Sequence, residues 1–115
     1  MTNDLIPQEP KAGLDDIKAM VIDGLNSKYS KVTYAKAIDD FIAWYRERHA
    51  PGLTKATVNA YKAHLQETTT YAPSTINLRL SAIRRLANEA ADNDLILDSQ
   101  ANGVNQVKGI PSRGV

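Results

Sequence analysis

The residues of this 115-residue chain that could do acid–base or nucleophilic chemistry are two histidines, two adjacent aspartate pairs and five tyrosines. A catalytic site needs a nucleophile or base beside a group that orients it. His49 and His64 stand on either side of a Pro51-Gly52 break. Neither has a second His or a carboxylate at metal-ligand spacing on its own helical turn. Isolated histidines of this kind read as surface or edge residues. Asp15-Asp16 and Asp39-Asp40 are neighbours, and neighbours on a helix point ~100° apart, so neither pair makes a carboxylate dyad. The tyrosines mostly fall on apolar stripes, where they pack. The glycines at 13, 24, 52, 103, 109 and 114 do not assemble into a phosphate-cradling loop. With no cysteine, neither a disulfide nor a thiolate metal site is possible. We therefore expect no catalytic residue, no metal and no cofactor here, and no small-molecule substrate.

The remaining chemistry belongs to cations and amides, and it concentrates between Ala72 and Asp92. Ile76, Leu80, Ile83, Ala87 and Ala90 recur at spacings of four and three, one stripe of a 3.6-residue period. Pro73 suits a first helical position, where a backbone N–H would have no intrahelical partner. Asn77, Ser81, Arg84 and Asn88 form a second, polar stripe, with Ser74 and Arg85 beside it and Glu89 as the nearby acid. That stripe is either an ordinary solvated face or a face that touches nucleic acid.

Other elements must position it. Residues 1–12 lack periodicity and read as a disordered arm. Leu14, Ile17, Val21, Ile22 and Leu25 predict a helix over Leu14–Leu25, with Asp15 and Asp16 favouring its dipole. Its apolar edge must be buried against the core or against another subunit. Ser30, with Ser27 competing, reads as the N-cap of a second helix. Tyr34, Ile38, Phe41 and Tyr45 stripe that helix, flanked by Ile42 and Trp44. Thr54 caps a third helix to about Glu67. Its stripe is Val58, Tyr61 and Leu65, and Lys55, Asn59, Lys62 and Gln66 project together on another side. After Asn93, suited to a left-handed cap, the patch Leu95-Ile96-Leu97 folds back onto the bundle. Ala101–Val107 makes one or two helical turns, and the tail G-I-P-S-R-G-V reads as a linker.

The net charge of +1 hides a polarity. Residues 28–85 hold ten basic against four acidic residues, while the segments on either side are net acidic. A basic block between acidic flanks is the electrostatic footprint expected for a polyanion partner. No run approaches the ~18 apolar residues that span a bilayer, and the acidic N-terminus has no signal-peptide pattern. No membrane partner and a cytoplasmic location are expected.

The string S-T-I-N-L-R-L-S-A-I-R-R-L resembles a late helix of the N-terminal, core-binding domain of tyrosine recombinases, the phage integrase family. That domain tends to read Thr-Ile-Asn-x-x-Leu-Ser-x-Ile-Arg there. Upstream, S-K-V-T-Y-A-K-A-I-D-D-F-I-A-W-Y is similar to the family's Phe-x-x-Trp helix. The resemblance covers roughly Ser27 to Lys108. It implies an all-α fold: a small orthogonal, SAM-like bundle of four to five helices over residues 13–108, with 109–115 beginning a linker to a catalytic domain. The family's Tyr nucleophile and its Arg, Lys and His assistants belong to that other domain, and no position of this sequence matches them. The Asn-Pro pair common in the family after the apolar patch is replaced here by Ser99-Gln100-Ala101.

Half of a DNA clamp is the implied role, with double-stranded DNA and other recombinase protomers as partners. On that basis Lys28, Lys31, Lys36, Lys55, Lys62 and Arg85 are assigned to phosphate. Ser74, Asn77, Ser81 and Arg84 are assigned to the groove, where Asn suits adenine and Arg guanine. Arg79, nearer the apolar stripe, instead pairs with an acid of the bundle. The competing reading is a helical protein–protein interaction or dimerisation module that docks through the Leu14–Leu25 stripe and binds no DNA.

Overall fold

Each helix begins where a local device satisfies its free N–H groups. In the computed structural model, which describes residues 13–111, five helices follow one another: α1 (Leu14–Asp23), α2 (Lys28–Glu47), α3 (Lys55–Thr68), α4 (Pro73–Asp92) and α5 (Asp98–Asn105). The described residues contain no strand, so the fold is the expected all-α bundle. The arm expected over residues 1–12 lies outside the described residues.

The Asp16 carboxylate accepts from the Gly13 N–H at 3.2 Å and closes the start of α1. At α2 the competing choice prevails: Ser27, not Ser30, is the N-cap, its hydroxyl accepting from the Ser30 N–H at 2.9 Å. Thr54 caps α3 through the Thr57 N–H. Pro73 opens α4 as expected. Gln100 accepts from the Leu97 N–H at 2.9 Å and fastens the first turn of α5.

The C-terminal ends of the two long helices share one device. At α2, Ala50 N–H donates to the Tyr45 carbonyl and His49 N–H to that of Arg46. At α4, Leu95 N–H donates to Ala90 and Asp94 N–H to Ala91. Both are paired 6→1 and 5→2 bonds, which need a left-handed residue just past the cap. That residue is His49 (φ 53°) in one and Asp94 (φ 59°) in the other. The expected left-handed Asn93 has φ −104°, so the reversal falls one residue later. Asn93 instead turns its side-chain amide onto the Glu89 carbonyl at 2.8 Å.

The core forms around α4, which packs against all four other helices. Ile76, Leu80, Ile83, Ala87 and Ala90 are buried as the spacing requires, and Leu86 and Ala82 join them. α3 could not hold its thin stripe alone in water. Here Val58, Tyr61 and Leu65 are all buried, and Tyr61 meets Phe41 edge-on at 5.1 Å and Trp44 at 5.0 Å. Ile17 and Val21 of α1 are buried against α2 and α4, so that stripe is covered by the chain itself. The Leu95-Ile96-Leu97 patch folds back only in part. Leu95 and Ile96 pack on the core, whereas Leu97 is 68% exposed because it is the N-cap of α5 and points away.

Arg79 does find its acid. Its guanidinium, almost fully buried, donates to Asp40 of α2 at 2.8 Å and lies over the Tyr71 ring at 4.9 Å. No buried side-chain polar atom among the described residues lacks a partner. None of their helices is long and apolar enough to cross a membrane.

Candidate nucleic-acid interface

Three helices and the C-terminal segment place the residues expected to meet DNA. On α4 the polar stripe is divided. Asn77 and Arg84, at its edge, are covered by residues 107–110. The Asn77 amide donates to the Ile110 carbonyl at 2.9 Å, and its oxygen accepts from the Ile110 N–H at 2.7 Å. Arg84 donates to the Val107 carbonyl at 2.7 Å. Lys62 of α3 reaches the Lys108 carbonyl at 2.8 Å. Three side chains from two helices thus grip Val107, Lys108 and Ile110 of one segment. The segment expected to begin a linker after Lys108 is held to α4 as far as Ile110.

Close approach is required for this. A Cβ on Gly109 would fall 2.8 Å from the Asn77 side-chain oxygen. Further along α4, Asn88 accepts from the Asn105 amide at 2.7 Å, so that end of the stripe bonds to α5.

The open part of α4 lies between this segment and α2. Thr75, Leu78 and Arg79 share a hollow with Val32, Thr33, Lys36 and Ala37. Between that hollow and the segment, the wheel at ~100° per residue places Ser74, Ser81 and Arg85. Ser74 and Arg85 are exposed and Ser81 half-buried. The Ser81 hydroxyl donates to the Asn77 carbonyl of its own helix at 3.1 Å. Arg85 shares a hollow with Glu89 and Asp92, so basic character fades toward the C-terminal end of α4.

The lysines are not equivalent. Lys28 and Lys36 are both exposed near the start of α2, but Lys36 is 3.5 Å from the Asp40 carboxylate. Lys31 donates to the Ile22 carbonyl at 2.7 Å and fastens α2 to the end of α1. Lys55, Asn59 and Lys62 line one groove of about 230 Å³ together with Gln106, Val107 and Lys108. Gln66, expected beside them, does not line it. Among the described residues the ion-paired cations are Lys18, Lys36, Arg46 and Arg79, all matched to acids of α1 and α2. The cations of α3, of the open α4 stripe and of the tail are in no ion pair there.

Asp40, Gln106, Lys108 and Gly109 were not legible as site residues. Lys108 sits in an acidic stretch of sequence, and its partnership with α3 exists only once the segment turns back. The Tyr61 hydroxyl is pushed above its ordinary value by burial, against the pull of the Arg79 guanidinium. The histidines stay apart: His64 packs on Trp44 and Tyr61, and His49 is exposed at the end of α2. No group of three His, Cys, Asp or Glu side chains among the described residues is placed to hold a metal ion.

Compared with known families, residues 17–97 match the model described as phage integrase, N-terminal SAM-like domain. No curated protein and no solved structure matches the chain.

Proposed function

The chain belongs to the phage integrase N-terminal SAM-like domain family, and from that premise we propose that it binds duplex DNA as the core-binding part of a site-specific tyrosine recombinase. In this reading it contributes grip and position to integration and recombination, in company with a catalytic domain and with other protomers on the DNA. It performs no chemistry itself.

The observation that supports this most directly is the sorting of charge. Acids neutralise Lys18 of α1, Lys36 and Arg46 of α2 and Arg79 of α4, while Lys55, Lys62 and Lys108 line one groove without a counter-charge among its lining residues. A duplex supplies about one negative charge per 1.7 Å of its axis, and each phosphate neutralised releases condensed counterions. Lys28, Lys55, Lys62 and Arg85 are the cations we assign to phosphate, with Ser74 donating beside them. Ser81 faces the groove. Lys31 and Lys36 join only by leaving Ile22 and Asp40. Readout of bases by Asn77 and Arg84 would require release of Ile110 and Val107; with the segment docked, these two side chains hold it instead.

The test is a titration of labelled duplex at several salt concentrations. Three to four neutralised phosphates, according to whether Lys55 and Lys62 share one, give a log–log slope of about −2.7 to −3.6, so raising salt from about 50 to 200 mM weakens binding about 40- to 150-fold. Affinity indifferent to salt, or no binding at about 50 mM, would reject the proposal.

A further inference from the structure

We propose that the docked C-terminal segment completes a phosphate cradle, in which Lys108 joins Lys55 and Lys62 around one bound phosphate group, so that anion binding and docking of the segment stabilise each other. This rests on the DNA-binding reading and names the residues and the conformational partner of one phosphate subsite within it.

The groove has walls on three sides. Lys55, Asn59 and Lys62 come from α3, Gln106 from the end of α5, and Val107 and Lys108 from the segment. Its lining residues include three lysines and two side-chain amide residues but no acid. Gly103 lets α5 lie close to α3, since a Cβ there would meet the Lys55 Cβ at 3.3 Å. Lys62 reaches the Lys108 backbone carbonyl at 2.8 Å, which anchors the residue that brings the third charge. Lys55 is 3.5 Å from the Gln106 side-chain oxygen, a long contact that leaves its ammonium ready for a stronger acceptor.

Like charges repel, and docking gathers these. What holds them together is remote from the charges themselves: the two Asn77–Ile110 bonds, the Arg84 bond to Val107 and the missing side chain of Gly109. An anion in the groove removes the repulsion. By linkage it must then favour the docked segment by as much as docking favours the anion. Asn77 and Arg84 are thereby positioning residues for Lys108. An undocked segment would carry Lys108 away and leave two lysines.

The experiment uses the whole chain and follows the Ile110 amide, which donates to Asn77 at 2.7 Å, by hydrogen exchange. One arm adds inorganic pyrophosphate and the other a duplex. Each arm is run on the natural sequence, Lys108→Gln and Gly109→Ala, with Trp44 fluorescence reporting that the bundle is intact. The expected result is slower Ile110 exchange with either anion. Lys108→Gln weakens duplex binding about fivefold at about 50 mM salt, the loss of one exposed ion pair, and Gly109→Ala gives the same loss without touching a charge. Faster Ile110 exchange on adding duplex would mean that DNA displaces the segment, and would overturn the proposal. So would Lys108→Gln binding duplex as tightly as the natural chain; that outcome leaves the DNA-binding reading standing. Pyrophosphate that slows Ile110 exchange in a chain that binds no duplex supports the cradle and rejects the DNA-binding reading. No effect of pyrophosphate on Ile110 exchange rejects the cradle whatever the duplex does.

Discussion

Removing the Asp40 carboxylate tests how α2 and α4 are tied together beneath the proposed DNA face. Asp40→Ala strips the Arg79 guanidinium of its 2.8 Å partner. The Arg79 side chain is 9% exposed, but that of Asp40 is 41% exposed. The cost of breaking a fully buried pair, about 3–5 kcal/mol, is therefore an upper bound. A charge-assisted hydrogen bond left unmade at a buried donor costs about 1.5–3 kcal/mol. The Tyr71 ring remains under the guanidinium and retains roughly 0.5–1 kcal/mol of attraction. The expected loss is about 2 kcal/mol, or a Tm lower by about 6–12 °C in a chain of this size. Asp39→Ala is the control. Its pair with Lys18 is as short but sits at the surface, and its loss costs about 0–1 kcal/mol. Thermal unfolding followed by circular dichroism reads both. The third arm is Asp40→Ala with Arg79→Met, which removes the stranded charge and restores most of the lost stability, because an apolar replacement of a buried pair is often neutral. The reasoning is refuted if Asp40→Ala costs no more than Asp39→Ala, or if adding Arg79→Met lowers stability further.

Two further outcomes follow from the same packing. Thr54→Ala removes the acceptor for the Thr57 N–H at the start of α3 and should lower stability by about 1 kcal/mol in urea unfolding. The α3 stripe is short, so the loss should be accompanied by faster exchange of the first-turn amides of that helix. Tyr61 gives an alkaline limit. Burial raises its pKa in the folded chain above the unfolded value, so its contribution is intact below about pH 10 and lost as pH rises through the folded pKa. Denaturation midpoints should fall above that pH in the natural chain and fall less in Tyr61→Phe. An equal fall in both would assign the loss to other groups.

The helical bundle was legible because its signals are local and mutually consistent. Apolar spacing, Pro73 at a helix start and Thr54 before an apolar run each depend only on residues a turn apart. Where two local choices were nearly equal, spacing could not separate them. Ser27 and Ser30 both suit a cap, and in the fold Ser27 takes the place, its hydroxyl accepting from the Ser30 N–H. The reversal at Asp94 rather than Asn93 is a shift of the same kind, by one residue. The DNA-facing assignment is where local reading runs out. Helical periodicity shows that Asn77 and Arg84 share a face with Ser81; it does not show that a segment 23 to 33 residues away lies across part of that face.

What the sequence determined by itself is therefore the set of helices and the buried stripes, since these follow from periodicity, propensity and the order of motifs along the chain. Tertiary structure decided which polar groups remain available. Asn77 and Arg84 have the right chemistry for DNA, yet in the folded chain they hold backbone groups of residues 107–110, because an amide or a guanidinium binds whatever complementary group the fold brings within reach. Lys108, which no local pattern singled out, is delivered to the basic groove by the same contacts.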